Sequence, residues 1–227
     1  MPTTPLPPFT DEAHFFRSPA LPGTELLRAR FFRHSFGPHW HEGYVVAVIT
    51  AGAEGYSYRG ARHIAEPWTL ACINPDEIHT GERAAEQGWA YRVFYPSAQV
   101  MGDLARQLCT GLGSGLGSGL GSGLGSGLPR LPQQVIHDLP LARALLHAHA
   151  LLEAGGDLLE AQTATLNALS ALLTRHGEVP TERPQGAAGA SGYVCTMRER
   201  LAADVSEQLS LEELGRCVGL SAFHAAR

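Results

Sequence analysis

Three histidines are the first residues whose types and spacing point to chemistry. In GPHWHEGY, His39 and His41 alternate with Trp40, so on a strand both imidazoles leave from the same side. His79, in NPDEIHTGE, follows a separate strand and is placed to converge on them. Neutral imidazoles in such a trio bind zinc or iron. Metal centres of this pattern usually add a carboxylate a few residues after the second histidine. That window holds Val45 and Val46, and Glu42, adjacent to His41, points the other way on a regular strand. A metal-free polar pocket for a small molecule fits better: His39, His41 and His79 with Tyr44, Trp89, Tyr91 and Arg92, aromatics giving contact area and a few polar groups fixing orientation. The competing reading is that some of these are ordinary core or surface residues. His147 and His149, two apart on a helix, do not share a face and are expected on the solvent side. No nucleophile elbow, phosphate loop, dinucleotide fingerprint or H-E-x-x-H occurs, so no catalytic residue, metal or cofactor is assigned.

The elements that must position these residues are strands. YVVAVIT (44–50), GYSYRG (55–60), ARHIA (61–65), TLACINP (69–75) and WAYRVFYP (89–96) are short, rich in β-branched or aromatic residues, and separated by Gly or Pro turns. Residues 29 to about 100 therefore read as a small barrel or jelly roll, with Gly60 at a tight hairpin between Tyr58 and His63. Residues 111–128 are four copies of G-L-G-S followed by G-L. Nine glycines there cost too much backbone entropy for a helix or strand, so a flexible tether is expected, spanning roughly 20 to 25 Å. Beyond it the period becomes helical. Asp138 is a plausible N-cap with Pro140 in the first turn, and Leu141, Leu145, Ala148 and Leu152 form an apolar stripe. Gly155 and Gly156 break that helix, Asp157 and Glu160 open another, and Leu159, Leu166, Leu169 and Leu173 carry a second stripe. This hairpin has a face to bury, against the barrel or a second subunit. Residues 177–192, GEVPTERPQGAAGASG, lack an apolar period and read as a linker.

Composition narrows the partners. The net charge of -5 leaves no footprint for non-specific nucleic-acid binding over the whole chain, so any affinity for DNA must be local. All 17 basic residues are Arg, which a GC-rich coding sequence explains. Cys72, Cys109, Cys195 and Cys217 have no zinc or redox spacing and read as thiols of a reducing compartment. With neither a signal peptide pattern nor a membrane-spanning apolar run, a cytoplasmic location is expected.

The final stretch, LSLEELGRCVGLSAFHAAR (209–227), follows a helix bearing Val194, Met197, Leu201 and Val205. Ser210 and Glu213 make a capping box, and Leu209 and Leu214 a hydrophobic staple, so a helix starts at Leu211. Gly219 suits a left-handed C′ position with Leu220 placed against Leu214, and Ser221 then caps a second helix. Such a unit is either a helix-turn-helix or an ordinary helix pair in a bundle.

Taken together, these residues resemble AraC-type transcriptional regulators. HWHEGYVVAVITAGAEGYSYRGARHIAEPWTLACINPDEIHTGE followed by GWAYRVFYP is similar to their sensor domain, with H-x-H, a Gly after the next strand, a Pro-led turn and N-P-x-x-x-H. Pro67-Trp68 stands where Pro-Gly is frequent. The helical hairpin resembles their dimerisation helices, and S-L-x-E-L then G-L-S resembles the start of their DNA-binding domain. The resemblance implies an α+β fold: a cupin-like β-barrel (jelly roll) binding an effector over 1–110, the insert at 111–128, an antiparallel helical hairpin over 129–176, the linker at 177–192, and a partial helix-turn-helix from 193 to 227. It implies a cytoplasmic homodimer that binds a small effector at His39, His41 and His79, with Trp89 and Tyr91 on a strand that can face them, and promoter DNA through Ser221, Ala222, Phe223, His224 and Arg227. The family's DNA domain has two helix-turn-helix units, whereas this sequence ends seven residues into the first recognition helix, so weak DNA binding is expected. The alternatives are a metal-dependent cupin enzyme using the three histidines, and a sensor or dimerisation module that does not bind DNA.

Overall fold

The run VVAVIT has no polar alternation, the pattern of a strand buried on both faces. In the computed structural model it is β4 (Val45–Gly52), with Val46 and Val48 facing one core and Val45, Ala47 and Ile49 another. The structure describes residues 10–111 and 128–178, together with 193, 196, 197, 199–201, 203 and 211–220. Around β4 lie β1 (Glu12–Arg17), β2 (Thr24–Phe31), β7 (Leu70–Ile73), β9 (Trp89–Pro96) and β10 (Val135–Ile136), hydrogen-bonded in the order β1-β2-β9-β4-β7-β10. A second sheet, β3-β8-β5-β6, contains β3 (Phe36–His39), β5 (Glu54–Tyr58), β6 (Ala61–Ala65) and β8 (His79–Arg83). The cupin-like fold thus takes the form of two facing antiparallel sheets rather than a closed cylinder. Between them pack Leu27, Val45, Ile49, Tyr56, Tyr58 and Trp89.

The turns explain several sequence signals. Arg59 and Gly60 both have positive φ, 51° and 75°, the requirement of a type I′ turn joining Tyr58 to its partner Ala61. At Pro67-Trp68, Thr69 N donates to Glu66 O and Trp68 takes φ 70°. This is a type II turn whose third position favours glycine, so the indole sits on strained backbone where a Pro-Gly turn would be relaxed. Gly88 is required more strictly: with φ +76°, its Cβ would lie 2.1 Å from the Phe31 carbonyl oxygen.

Three helices cover the outer face of the six-stranded sheet. The first, α1 (Ala98–Gly111), lies between the last expected strand, ending at 96, and the insert expected from 111, where no helix was read. Its signal was present: Ser97 Oγ accepts from Val100 N, and Met101, Leu104, Ala105 and Leu108 follow at helical spacing onto the core. The expected hairpin is α2 (Leu139–Ala154) and α3 (Leu158–His176). Asp138 accepts from Leu141 N and also meets Arg175 and His176 at 2.8 and 2.9 Å, so one carboxylate fastens the start of α2 to the end of α3. These contacts outweigh desolvation and hold its pKa low. Gly155 is left-handed at φ 65°, and Asp157 caps α3 through Leu159 N and Glu160 N.

Two expectations change here. On α3 the buried row is Ala161, Thr165, Ala168, Leu169, Leu172 and Leu173, whereas Leu159 and Leu166 are exposed. The row passes through Thr165, and one residue is about 100° of helix, enough to turn Leu166 outward. On α2, His147 is exposed as expected but His149 is fully buried. The sheet and α3 together cover a wide arc of α2, and His149 meets Arg92, Phe16 and Phe94 within it.

The chain divides into two compact units, residues 1–180 and 181–227. Within the second, α4 (Leu211–Cys217) begins at the expected residue. It closes with Leu220 N donating to Gly215 O and Gly219 N to Arg216 O, Gly219 being left-handed at φ 71°. That is a Schellman closure, as the glycine forecast. Ser221, Ala222, Phe223, His224 and Arg227 lie outside the described residues, as do 112–127 of the insert and 179–192 of the linker. No helix among the described residues is long and apolar enough to cross a membrane.

Candidate functional site

Between the sheets opens a cavity of about 580 Å³, within the range of small-molecule sites. Leu27, Val45, Ala47, Ala71 and Ile73 form apolar walls. Strand parity decides which expected residues reach it. His39, His41, His79 and Tyr91 line it. Trp89 shares the parity of Tyr91 but is buried in the inter-sheet core against Phe31, away from the lining. Tyr44 and Arg92 belong to the opposite face of the sheet. The Tyr44 ring is buried beneath the helices, and its hydroxyl donates to Pro129 O. Arg92 donates to Glu153 and meets His149 Nδ1 at 2.9 Å, tying β9 to α2. Since a guanidinium only donates, that imidazole nitrogen is unprotonated. Burial, reinforced by Arg92, lowers the His149 pKa to about 4.

The three histidines converge as their spacing implied. One ring nitrogen from each lies within 4.8 Å of the others, and the ring centroids of His39 and His79 are 4.2 Å apart. His39 Nδ1 lies 2.9 Å from Gly37 O and His79 Nδ1 3.0 Å from Glu77 O. A carbonyl only accepts, so each Nδ1 carries the proton and each Nε2 keeps its lone pair for a ligand atom or an ion. Desolvation first, then the neighbouring imidazoles, lower the pKa of His41 to about 4; desolvation also lowers that of His79. His41 and His79 are therefore held toward the neutral form at physiological pH.

Several lining residues were not read from the sequence. Phe15 and Arg17 come from β1, and Glu25 from β2 pairs with Arg17 at 3.3 Å. β1 has no apolar alternation and is largely exposed, so its sequence carries little strand signal. Glu54 is the least expected: a carboxyl on β5, only 9 % exposed, in the cavity lining. Desolvation raises its pKa from 4.5 to about 8. Its signal was parity, since position 54 shares the inward face of Tyr56 and Tyr58. Asn74 is a further polar residue with a clear role. Its side-chain amide binds Leu131 N and Leu131 O, each at 2.9 Å, and pins the chain where it returns toward β10.

With this geometry in view, comparison with known proteins is informative. A regulator from Bacillus subtilis (strain 168), described as the uncharacterized HTH-type transcriptional regulator YbfI, is 23% identical over 205 residues, covering 89% of this chain and 68% of its own. The crystal structure of the AraC-like transcriptional activator CuxR superposes with a TM-score of 0.51 at 10% identity, over 94% of this chain and 72% of that one, a likeness of fold alone. A cupin 2 conserved barrel domain protein from Leptotrichia buccalis superposes with a TM-score of 0.35 at 15% identity, over 39% of this chain and 41% of that one. The model of the AraC-like ligand binding domain matches residues 21–169, which span both sheets except β1, together with most of the helical hairpin, and the chain belongs to that family.

Proposed function

We propose that the chain is a ligand-responsive transcription regulator in which a small effector fills the cavity and promoter DNA is bound by the helix-turn-helix that α4 opens. The carrying observation is the apolar-walled cavity, with histidines at its polar side, inside an AraC-like ligand binding domain. The regulator from Bacillus subtilis supports the DNA-binding part. β9 links the cavity to the helical hairpin, since Tyr91 faces the cavity while the adjacent Arg92 holds α2. An effector that binds one arrangement of this strand better than another shifts the packing of the hairpin. The same proposal includes a cytoplasmic homodimer joined through α3, whose Leu158 and Leu159 are 53% and 72% exposed. Deleting the gene should change transcription from adjoining promoters. Ala47→Phe, which fills the cavity from β4, should make that transcription insensitive to growth condition. Unchanged transcription in the deletion strain overturns the regulatory reading, and a normal response from Ala47→Phe overturns the role of the cavity.

A second reading rests on the imidazole geometry, in which three nitrogens within 4.8 Å suit a divalent ion in a metal-dependent enzyme. One equivalent of bound metal that disappears in His41→Ala would favour it. Folded chain purified without metal favours the regulator.

A further inference from the structure

The cavity contains a buried acid without a protein partner. Among the described residues Glu54 has neither a hydrogen bond nor an ion pair, and it is 9 % exposed. Three other buried polar side chains of this unit are engaged, Asn74 by Leu131 and Tyr58, Asp138 by Leu141 N and two cations, and His79 by Glu77 O, whereas Thr24 Oγ1, Trp89 Nε1 and His149 Nε2 also lack a partner. Two hydroxyls of the same strand are committed elsewhere. Tyr56 donates to Gln134 O, and the Tyr58 oxygen accepts from Asn74. Room for the carboxyl is made by a glycine on β8: a Cβ at Gly81 would stand 3.2 Å from Glu54 Oε1. A buried carboxyl usually has a partner, and one that faces a cavity finds it in whatever fills the cavity.

Charge complementarity indicates which kind of group that is. Glu25 and Glu54 line the cavity with a single guanidinium in the lining, Arg17, which already pairs with Glu25. His41 and His79 are held toward the neutral form, and the Glu54 carboxylate opposes ionisation of Tyr56, Tyr91 and Tyr95. Resting on the reading of this cavity as the effector site, we propose that Glu54 anchors a cationic amine, and that the effector is an amine with an apolar body. The ammonium donates to the carboxylate while the body lies against the aliphatic walls.

The test uses three probes with one phenyl body, 2-phenylethylamine, 2-phenylethanol and phenylacetate, titrated calorimetrically into the full chain at pH 8. The amine should bind at least about tenfold more tightly than the alcohol, as a charge-assisted hydrogen bond in a desolvated site allows, and phenylacetate more weakly than either. Glu54→Gln should reduce the amine to the affinity of the alcohol and leave the alcohol unchanged. A readout that needs no variant is proton release: amine binding at pH 7, repeated in buffers of different ionisation enthalpy, should expel protons from the carboxyl, and alcohol binding should not. An amine that binds no better than the alcohol, or whose advantage survives Glu54→Gln, overturns the inference. If the alcohol or phenylacetate binds best and Ala47→Phe abolishes that binding, the effector cavity stands and only the amine assignment falls. If no probe binds, or binding survives Ala47→Phe, the reading of the cavity falls with it.

Discussion

Glu54→Gln also makes a quantitative statement about stability. In the unfolded chain this carboxyl has its ordinary pKa of 4.5, and in the folded chain burial raises it to about 8. The folded state therefore binds the proton more tightly. The group's contribution is favourable at low pH and is lost as pH rises from 4.5 through 8. Each unit in that window costs about 1.4 kcal/mol, so the penalty is about 0.7 kcal/mol at pH 5, about 3 at pH 7, and levels off near 5 above pH 8. Glutamine has the same shape and no titration. A partnerless amide has its own desolvation cost, but that cost is the same at every pH. The slope is thus the measurement. Urea denaturation of both proteins at pH 5, 6, 7 and 8 should show the variant gaining on the parent by about 1 kcal/mol per unit, and curves that stay parallel would refute the argument.

Other expectations follow from the same packing. Arg92→Ala removes a donor from Glu153 and from His149 Nδ1 at a site where both ionic side chains are about one fifth exposed, so a loss of about 2 kcal/mol is expected. Arg28→Ala, at the 55% exposed partner of the same Glu153, should cost well under 1 kcal/mol, and thermal denaturation showing the reverse order would contradict this geometry. His41 and His149 have folded pKa values below the ordinary 6.5, so their contribution is present above pH 6.5 and lost as pH falls toward 4. The acid limb of the stability profile should therefore be shallower in His149→Gln than in the parent. Gly88→Ala drives a Cβ into the Phe31 carbonyl and should abolish folded protein, whereas Gly60→Ala, with the same positive φ but open space around it, should cost only about 1 kcal/mol. Equal melting temperatures for the two variants would show that β9 can shift away from β2.

What could be read in the sequence follows from how far each signal reaches along the chain. Local, directional signals were readable: the N-caps Asp138 and Asp157, the start of α4 at Leu211, the left-handed Gly155 and Gly219, and the ends of β6 and β9 each depend on a few adjacent residues. β1 and β10 were not, because an exposed edge strand and a two-residue strand acquire their structure from their partners, β2 and β7. His149 was misplaced for a related reason: the arc of a helix that becomes buried depends on how many elements pack around it.

The site depended more on parity than on residue type. Trp89, Tyr91 and Arg92 were grouped as one pocket because all three are large and polar-tipped, yet period two already separates position 92 from 89 and 91. The same rule places Tyr44 with Val46 and Val48, beneath the helices, and not with Val45 and Ala47 on the cavity wall. Parity alone does not name the face that holds the cavity, because both faces of this sheet are covered, one by helices and one by the second sheet. The histidines resolve that ambiguity: His39 and His79 stand on the second sheet, so the face of β4 and β9 that looks toward it is the cavity face. Carried around to β5, the same reasoning turns Glu54 inward with Tyr56 and Tyr58. A partnerless acid facing inward on the same sheet as the imidazoles of His39 and His79 is where a ligand's charge has to be answered.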